Sequence, residues 1–176
     1  MSQSQVILLP DAGPLITLAY ADALDLLFKP GWSLQLVDMV LHEVTRNQTP
    51  TSEKIQRWAS ALPILPTRTC QRYREAQAVE NARLKKTNLG ELAIQESMNE
   101  FALAEPPATG VFLFEDHKIA RASFLLPDNC RKISTRAYLL FLEQRGLLDA
   151  TQTAASVERT AIRNGRFFSQ LRFPPS

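Results

Sequence analysis

Cysteine, histidine and glycine are scarce in this chain, and each shortage removes a class of function. Among 176 residues there are two cysteines, two histidines and six glycines. Cys70 and Cys130 stand far apart, in no Cys-x-x-Cys pair and near no paired histidine, which speaks against a disulfide framework and against a zinc site. The glycines fall at 13, 31, 90, 110, 146 and 165, a spacing that holds neither a dinucleotide-binding fingerprint nor a P-loop. A Gly-x-Ser-x-Gly elbow is missing, and His42 precedes Glu43 without the second histidine of a zinc-protease helix. Nicotinamide cofactors, nucleoside triphosphates, acyl transfer and zinc proteolysis lose their usual support.

Long apolar runs and an excess of one charge are missing too. No apolar run approaches the roughly 18 residues of a membrane span. Residues 1–5 contain no basic residue and lead straight into an apolar segment, unlike a secretory leader. The expectation is a cytoplasmic protein with no membrane association. Lys and Arg number 20 against 18 Asp and Glu, a net charge of +2, so bulk charge does not make this a polybasic binder. A nucleic-acid site would have to arise from the placement of residues.

What is present is an ordinary globular composition, 45% hydrophobic and 22% charged, enough for one domain. Val6-Ile7-Leu8-Leu9 reads as a strand buried on both faces, ended by Pro10 and Asp11. Apolar positions over 15–28 suit a helix, with a break near Asp22 and Asp25 and a stop at Pro30-Gly31. A second strand is expected over 34–37, then a short helix over 38–46. Thr51 or Ser52 caps a helix carrying Ile55 and Trp58. Residues 62–65, flanked or interrupted by Pro63 and Pro66, read as a weak edge strand.

Residues 70–86 read as a charged helix, and a further helix runs from about 88 to 104. The clearest strand is Val111-Phe112-Leu113-Phe114. Helical character over 117–124, a short strand around Ile133 and a helix over 135–145 follow. Asp149 with Gln152 has capping-box spacing and is expected to open a last helix that ends near Asn164-Gly165. Strands alternating with helices predict a single three-layer α/β/α domain with a parallel central sheet, over 1–166, and a tail over 167–176. Trp32, Trp58, Phe112 and Phe114 read as packing residues.

The chemistry lies in carboxylates. Asp11 follows the first strand, and Glu115 with Asp116 follows the strand over 111–114. In open parallel sheets, ligands bind at that carboxyl edge. Glu43 and Glu91 stand in helices that follow. Acids converging on one crevice repel unless a cation compensates them, and all-oxygen ligation suits Mg2+ or Mn2+. Each acid also has a structural alternative. Asp11 and Asp116 can cap the helices after them, Glu43 alone is an ordinary surface glutamate, and Asn88-x-x-Glu91 has capping-box spacing.

Four pieces, in order, resemble the PIN-domain family. Asp11-Ala12-Gly13-Pro14-Leu15-Ile16-Thr17-Leu18 is similar to its opening, and residues 37–44, with Glu43 before Val44, to its second segment. Leu89-Gly90-Glu91-Leu92-Ala93-Ile94 is similar to the third, and residues 112–121, with Glu115-Asp116 after the apolar run, to the fourth. The resemblance spans about residues 6–146 and depends on order and context, not on any one piece.

It implies a metal-dependent endoribonuclease, often a VapC-type toxin of a bacterial toxin–antitoxin pair. Asp11, Glu43, Glu91 and Asp116 would then be the catalytic, metal-holding acids. It also implies single-stranded RNA as substrate and a cognate antitoxin that masks the acidic pocket. A homodimer is compatible with the chain, which fixes no oligomeric state. The adjacent pair departs from the family pattern: whether Glu115 or Asp116 faces the metal stays open, with Glu115 assigned beside the site.

Lys118 and Arg121, shortly after Asp116, together with Lys85 and Lys86, are the expected RNA contacts. The run Arg68, Arg72, Arg74, Arg83, Lys85 and Lys86 reads equally as a solvated helix face or as a phosphate-tracking rim. The wall of the antitoxin groove is expected on the helix over 70–86, with Tyr73 and Val79. One alternative is a degenerate PIN-like module that binds RNA or protein without cutting. Another is a receiver-type signalling domain, but the third strand candidate, 62–65, carries no acid for it.

Overall fold

In the computed structural model, residues 4–79, 88–115 and 126–166 are described. The apolar run at the start becomes β1 (Val6–Pro10), and Ile7, Leu8 and Leu9 are buried as expected of a strand with neighbours on both sides. Asp11 turns the chain into α1 (Ala12–Tyr20), with Pro14 in its first turn, where a missing N–H costs nothing. Asp22 takes a left-handed conformation, φ 52°, and a short 3-10 turn over Leu24–Phe28 follows, so the predicted break is where the helix ends.

The strand expected over 34–37 is two pieces in two sheets. β2 (Ser33–Leu34) pairs with β1, while β3 (Leu36–Val37) pairs with β4 (Ile64–Leu65). Gln35 is the hinge: its N–H still donates to the Leu8 carbonyl at 3.2 Å, whereas the Leu36 N–H turns to Pro63 at 3.1 Å. The weak strand at 62–65 is therefore an edge, but of a two-stranded sheet of its own. Between these pieces come α2 (Asp38–Thr45) and α3 (Ser52–Ala59), the latter with Thr51 as its N-cap residue.

The charged helix is α4 (Arg68–Gln77); the remainder of its predicted span falls largely in 80–87, outside the described residues. α5 (Leu89–Leu103) leads to β5 (Thr109–Phe114), β6 (Cys130–Ser134), α6 (Thr135–Gln144) and α7 (Ala154–Arg163). The helix expected over 117–124 and the tail over 167–176 lie outside the described residues. The capping box of the last helix is not Asp149 with Gln152. It is Thr153 with Ser156, whose side chains and backbone N–H groups bond reciprocally at 3.1 and 2.8 Å. Asp149 instead closes a turn through its carbonyl to Gln152.

The main sheet has the order β2-β1-β5-β6, every neighbouring pair parallel, with helices packed against it. This is the α/β architecture with a parallel central sheet. α5 packs on β5, β3, α2 and α4, and α1 packs on α2 and α7. The core holds Leu8, Leu9, Phe112, Ile94, Met98 and Tyr138, whose hydroxyl donates to the Leu26 carbonyl at 2.7 Å. Burial raises the Tyr138 phenol well above its ordinary value.

The packing roles expected of the aromatics hold. Trp32 stacks on Phe141 at 5.6 Å, Trp58 meets Phe28 at 5.7 Å, and Phe112 meets Phe114 at 6.0 Å. Both cysteines are buried and unpaired, as their spacing predicts. Among the described residues, no helix is long and apolar enough to cross a membrane.

Candidate active site at the carboxyl edge of the sheet

β1 and β5 run side by side, with Pro10 opposite Leu113, so both strands deliver their last residues to one edge. The Asp11 N–H donates to the Leu113 carbonyl at 2.9 Å, which ties the first acid directly to the strand that leads into Glu115 and Asp116. Asp11 is buried, 7% exposed, and although it occupies the N-cap position of α1 its carboxylate makes no capping hydrogen bond. The structural alternative for this residue therefore fails. A buried carboxylate that does not cap its helix is placed for another partner.

Glu43 arrives from α2, which is short and follows β3 without a loop. Its Oε1 accepts the Gly90 N–H at 3.1 Å, in the first turn of α5, where backbone donors have no partner inside the helix and the dipole favours an anion. Gly90 is the point on which two acids close. A Cβ at that position would stand 2.8 Å from the Glu43 Oε2, too close to keep, and 3.4 Å from the Asp11 Oδ1, an ordinary contact, so the missing side chain lets Glu43 reach the helix end beside Asp11.

Glu91 is next in the chain. The rival reading, a capping box with Asn88, is absent: Asn88 sits at φ 63° and its side chain makes no cap hydrogen bond. Glu91 acts instead on Glu43. The Glu43 carboxyl is pushed above the usual carboxylate range, first by burial and next by the negative charge of Glu91. The Gly90 N–H and the charge of Arg46 pull the other way.

Glu115 does not point at this crevice as a free ligand. Its carboxylate accepts the Thr17 hydroxyl at 2.7 and 2.9 Å and pairs with the Arg166 guanidinium at 2.8 Å, with its side chain 8% exposed. Asp116, Lys118, Arg121, Lys85 and Lys86 lie outside the described residues, so three of the four expected metal acids can be located. Asp11, Glu43 and Glu91 gather around the start of α5.

Sequence reasoning passed over several residues at the rim. Arg46, one turn after Glu43, acts on Glu43 and on His42. His42 packs against Tyr73 of α4 at 5.2 Å, and burial, Arg46 and Arg74 together lower its basicity. Tyr73 is buried in that contact, so of the two residues expected on the groove wall only Val79, 61% exposed, stands open to a partner. The signal for Arg46 was its three-residue spacing from Glu43 on one helix face. Thr17 lies within the opening segment of the resemblance, but nothing in the sequence ties it or Arg166 to Glu115, which is distant from both.

No family model matches this chain, and no curated protein matches it. The PIN resemblance therefore rests on the four sequence segments alone. Among the described residues no group of three or more His, Cys, Asp or Glu side chains is arranged to hold a metal ion. The donor set nevertheless fits a hard divalent cation. It is all oxygen, it crowds like charges together, and Gly90 leaves open the space that a Cβ would fill. Mg2+ sites commonly use one or two carboxylates and complete the shell with water and substrate phosphate, so Asp11 and Glu43 suffice as a nucleus, with Glu91 beside them.

Proposed function

We propose that the protein is a Mg2+- or Mn2+-dependent endoribonuclease and acts as the toxin of a toxin–antitoxin pair. The observation that carries the reading is the approach of the Asp11 and Glu43 carboxylates to one glycine, at the carboxyl edge of a parallel sheet and beside Glu91. Asp11, Glu43, Glu91 and Asp116 would hold the cation. When bound, such a cation activates water and stabilises charge on the phosphate and on the departing oxygen.

The chain's own residues supply the rest. The α5 N-terminus fixes Glu43 through the Gly90 N–H. Asp11 is buried, and its N–H is held by the Leu113 carbonyl. Arg46 puts positive charge beside Glu43, where an RNA phosphate would approach, and Lys118, Arg121, Lys85 and Lys86 would extend that track. The substrate class is single-stranded RNA and the protein partner a cognate antitoxin.

The test is cleavage of single-stranded RNA by purified protein with Mn2+. Asp11→Ala and Asp116→Ala should each cost at least ~10²-fold, because an under-coordinated cation activates water poorly. Equal rates in wild type and all four acid variants would assign any cleavage to a contaminant. The second reading is a non-cleaving RNA- or protein-binding module, favoured by the lack of a three-ligand group among the described residues. Wild type that binds RNA but neither binds Mn2+ nor cuts would establish it.

A further inference from the structure

Beside the acid site lies a second polar cluster that the nuclease reading leaves unused. Thr17 of α1 is 1% exposed, and its hydroxyl donates to both oxygens of Glu115, at 2.7 and 2.9 Å. The same Thr17 oxygen accepts the Arg166 Nε–H at 3.1 Å, and Arg166 Nη2 donates to Glu115 Oε2 at 2.8 Å. The three side chains thus close a ring in which each bonds both others.

The ring is aimed by backbone features. Gly165, at φ 113°, ends the last helix in a conformation that side chains resist, and the turn sends Arg166 back over α1. Asn164 fastens that turn by donating to the Tyr20 carbonyl at 2.7 Å. Gly13 lets the end of β5 approach, because a Cβ there would stand 2.9 Å from the Glu115 Cβ and 3.1 Å from its Oε2.

Position in the chain gives the ring its meaning. Gly13 is two residues after Asp11, and Glu115 immediately precedes Asp116. We infer that Thr17, Glu115 and Arg166 are positioning residues that fix the end of β5 against the start of α1 and so set the placement of Asp11, which joins β1 to α1, for cation binding. Glu115 is then a brace for this edge of the sheet and not itself a ligand. The inference rests on the nuclease reading. A buried ion pair that only stabilised the fold could sit anywhere; this one joins the two segments that carry the acids.

The experiment measures Mn2+ affinity of the full chain by calorimetry, well below the melting temperature, alongside kcat and KM on single-stranded RNA. Thr17→Val keeps the shape of the buried side chain and removes the hydroxyl; Thr17→Ser keeps the hydroxyl. Thr17→Val and Glu115→Gln should each weaken Mn2+ binding by about tenfold or more and lower kcat with KM for RNA little changed. Thr17→Ser should restore wild-type affinity, and Arg166→Lys, which keeps the charge but not the paired geometry, should fall between.

A structural role alone would lower the melting temperature and leave the Mn2+ affinity of the folded variants at the wild-type value. That result in Thr17→Val and Glu115→Gln would overturn the inference while the nuclease reading survives. If Glu115→Gln does not fold, the Thr17→Val and Thr17→Ser pair decides alone. Wild type that binds no Mn2+ would remove the nuclease reading, and this inference with it.

Discussion

At the scale of single residues, the crowded acids predict an unusual pH response. The Glu43 carboxyl is raised by burial and by Glu91, so the folded state binds its proton more tightly than the unfolded chain does. Stability from that group is greatest near or below the ordinary carboxylate value and is lost as pH rises through the raised one. Glu43→Gln, which can still accept the Gly90 N–H, should therefore melt higher than wild type at pH 7 in chelator. The advantage should vanish in acid, where both side chains are neutral, and a set of melting curves across pH would show it. A Glu43→Gln variant less stable than wild type at pH 7 would contradict the repulsion.

Gly90→Ala is the complementary probe. The added methyl stands too close to the Glu43 carboxylate and in contact with Asp11, so Glu43 must move. Mn2+ affinity should fall by about tenfold to a hundredfold, as when a metal site's supporting contacts are lost. Circular dichroism should show the helix intact, since alanine favours helix over glycine. Asp11 and Glu91 stood out locally in the sequence, at a strand end and a Gly-Glu helix start, whereas Glu43 stood out only through the resemblance of its segment. The role of Glu115 was not legible, because Thr17 and Arg166 reach it from opposite ends of the chain.

At the scale of elements, side chains from other elements hold several helix starts. Thr67 caps α4 by accepting the Cys70 N–H at 3.2 Å, and its own hydroxyl donates to Asp38 at 2.7 Å. Thr67→Ala loses both and should cost about 1–2 kcal/mol, read as a shift in the denaturant midpoint. Glu96 of α5 accepts from the Arg68 and Thr69 N–H groups at 2.7 and 3.1 Å. Burial disfavours its charge, but those donors and the Thr69 hydroxyl outweigh it and hold the carboxyl below its usual range.

The sign is opposite to that of Glu43. Stability from Glu96 is present above the ordinary carboxylate value and disappears as pH falls through the lowered one. Glu96→Gln should be less stable at pH 7 and should lose less of its remaining stability on acidification, measured by denaturant titration at both pH values. Element types were largely readable from periodicity and from Pro, Gly and cap residues. The split of 34–37 was not, because three apolar residues around one Gln do not say that two different strands will claim them. The capping box was misplaced by four residues for a similar reason: Asp149 and Gln152 have the spacing, but the chain spends them on a turn.

At the scale of the whole molecule, alternation of strands and helices announced the parallel sheet, while the order β2-β1-β5-β6 came only from pairing between distant segments. That order is what puts the ends of β1 and β5 together and makes an acidic edge out of residues a hundred positions apart in the chain. A cation bound there stabilises the folded state alone, by about 2.7 kcal/mol at a hundred times its Kd. The measurement that bears most directly on the account is a calorimetric titration of Mn2+ into the wild type and into Asp11→Asn. The account predicts a saturable heat in the wild type and at least about a tenfold loss of affinity in the variant. No heat in the wild type, or the same affinity in Asp11→Asn, would contradict it.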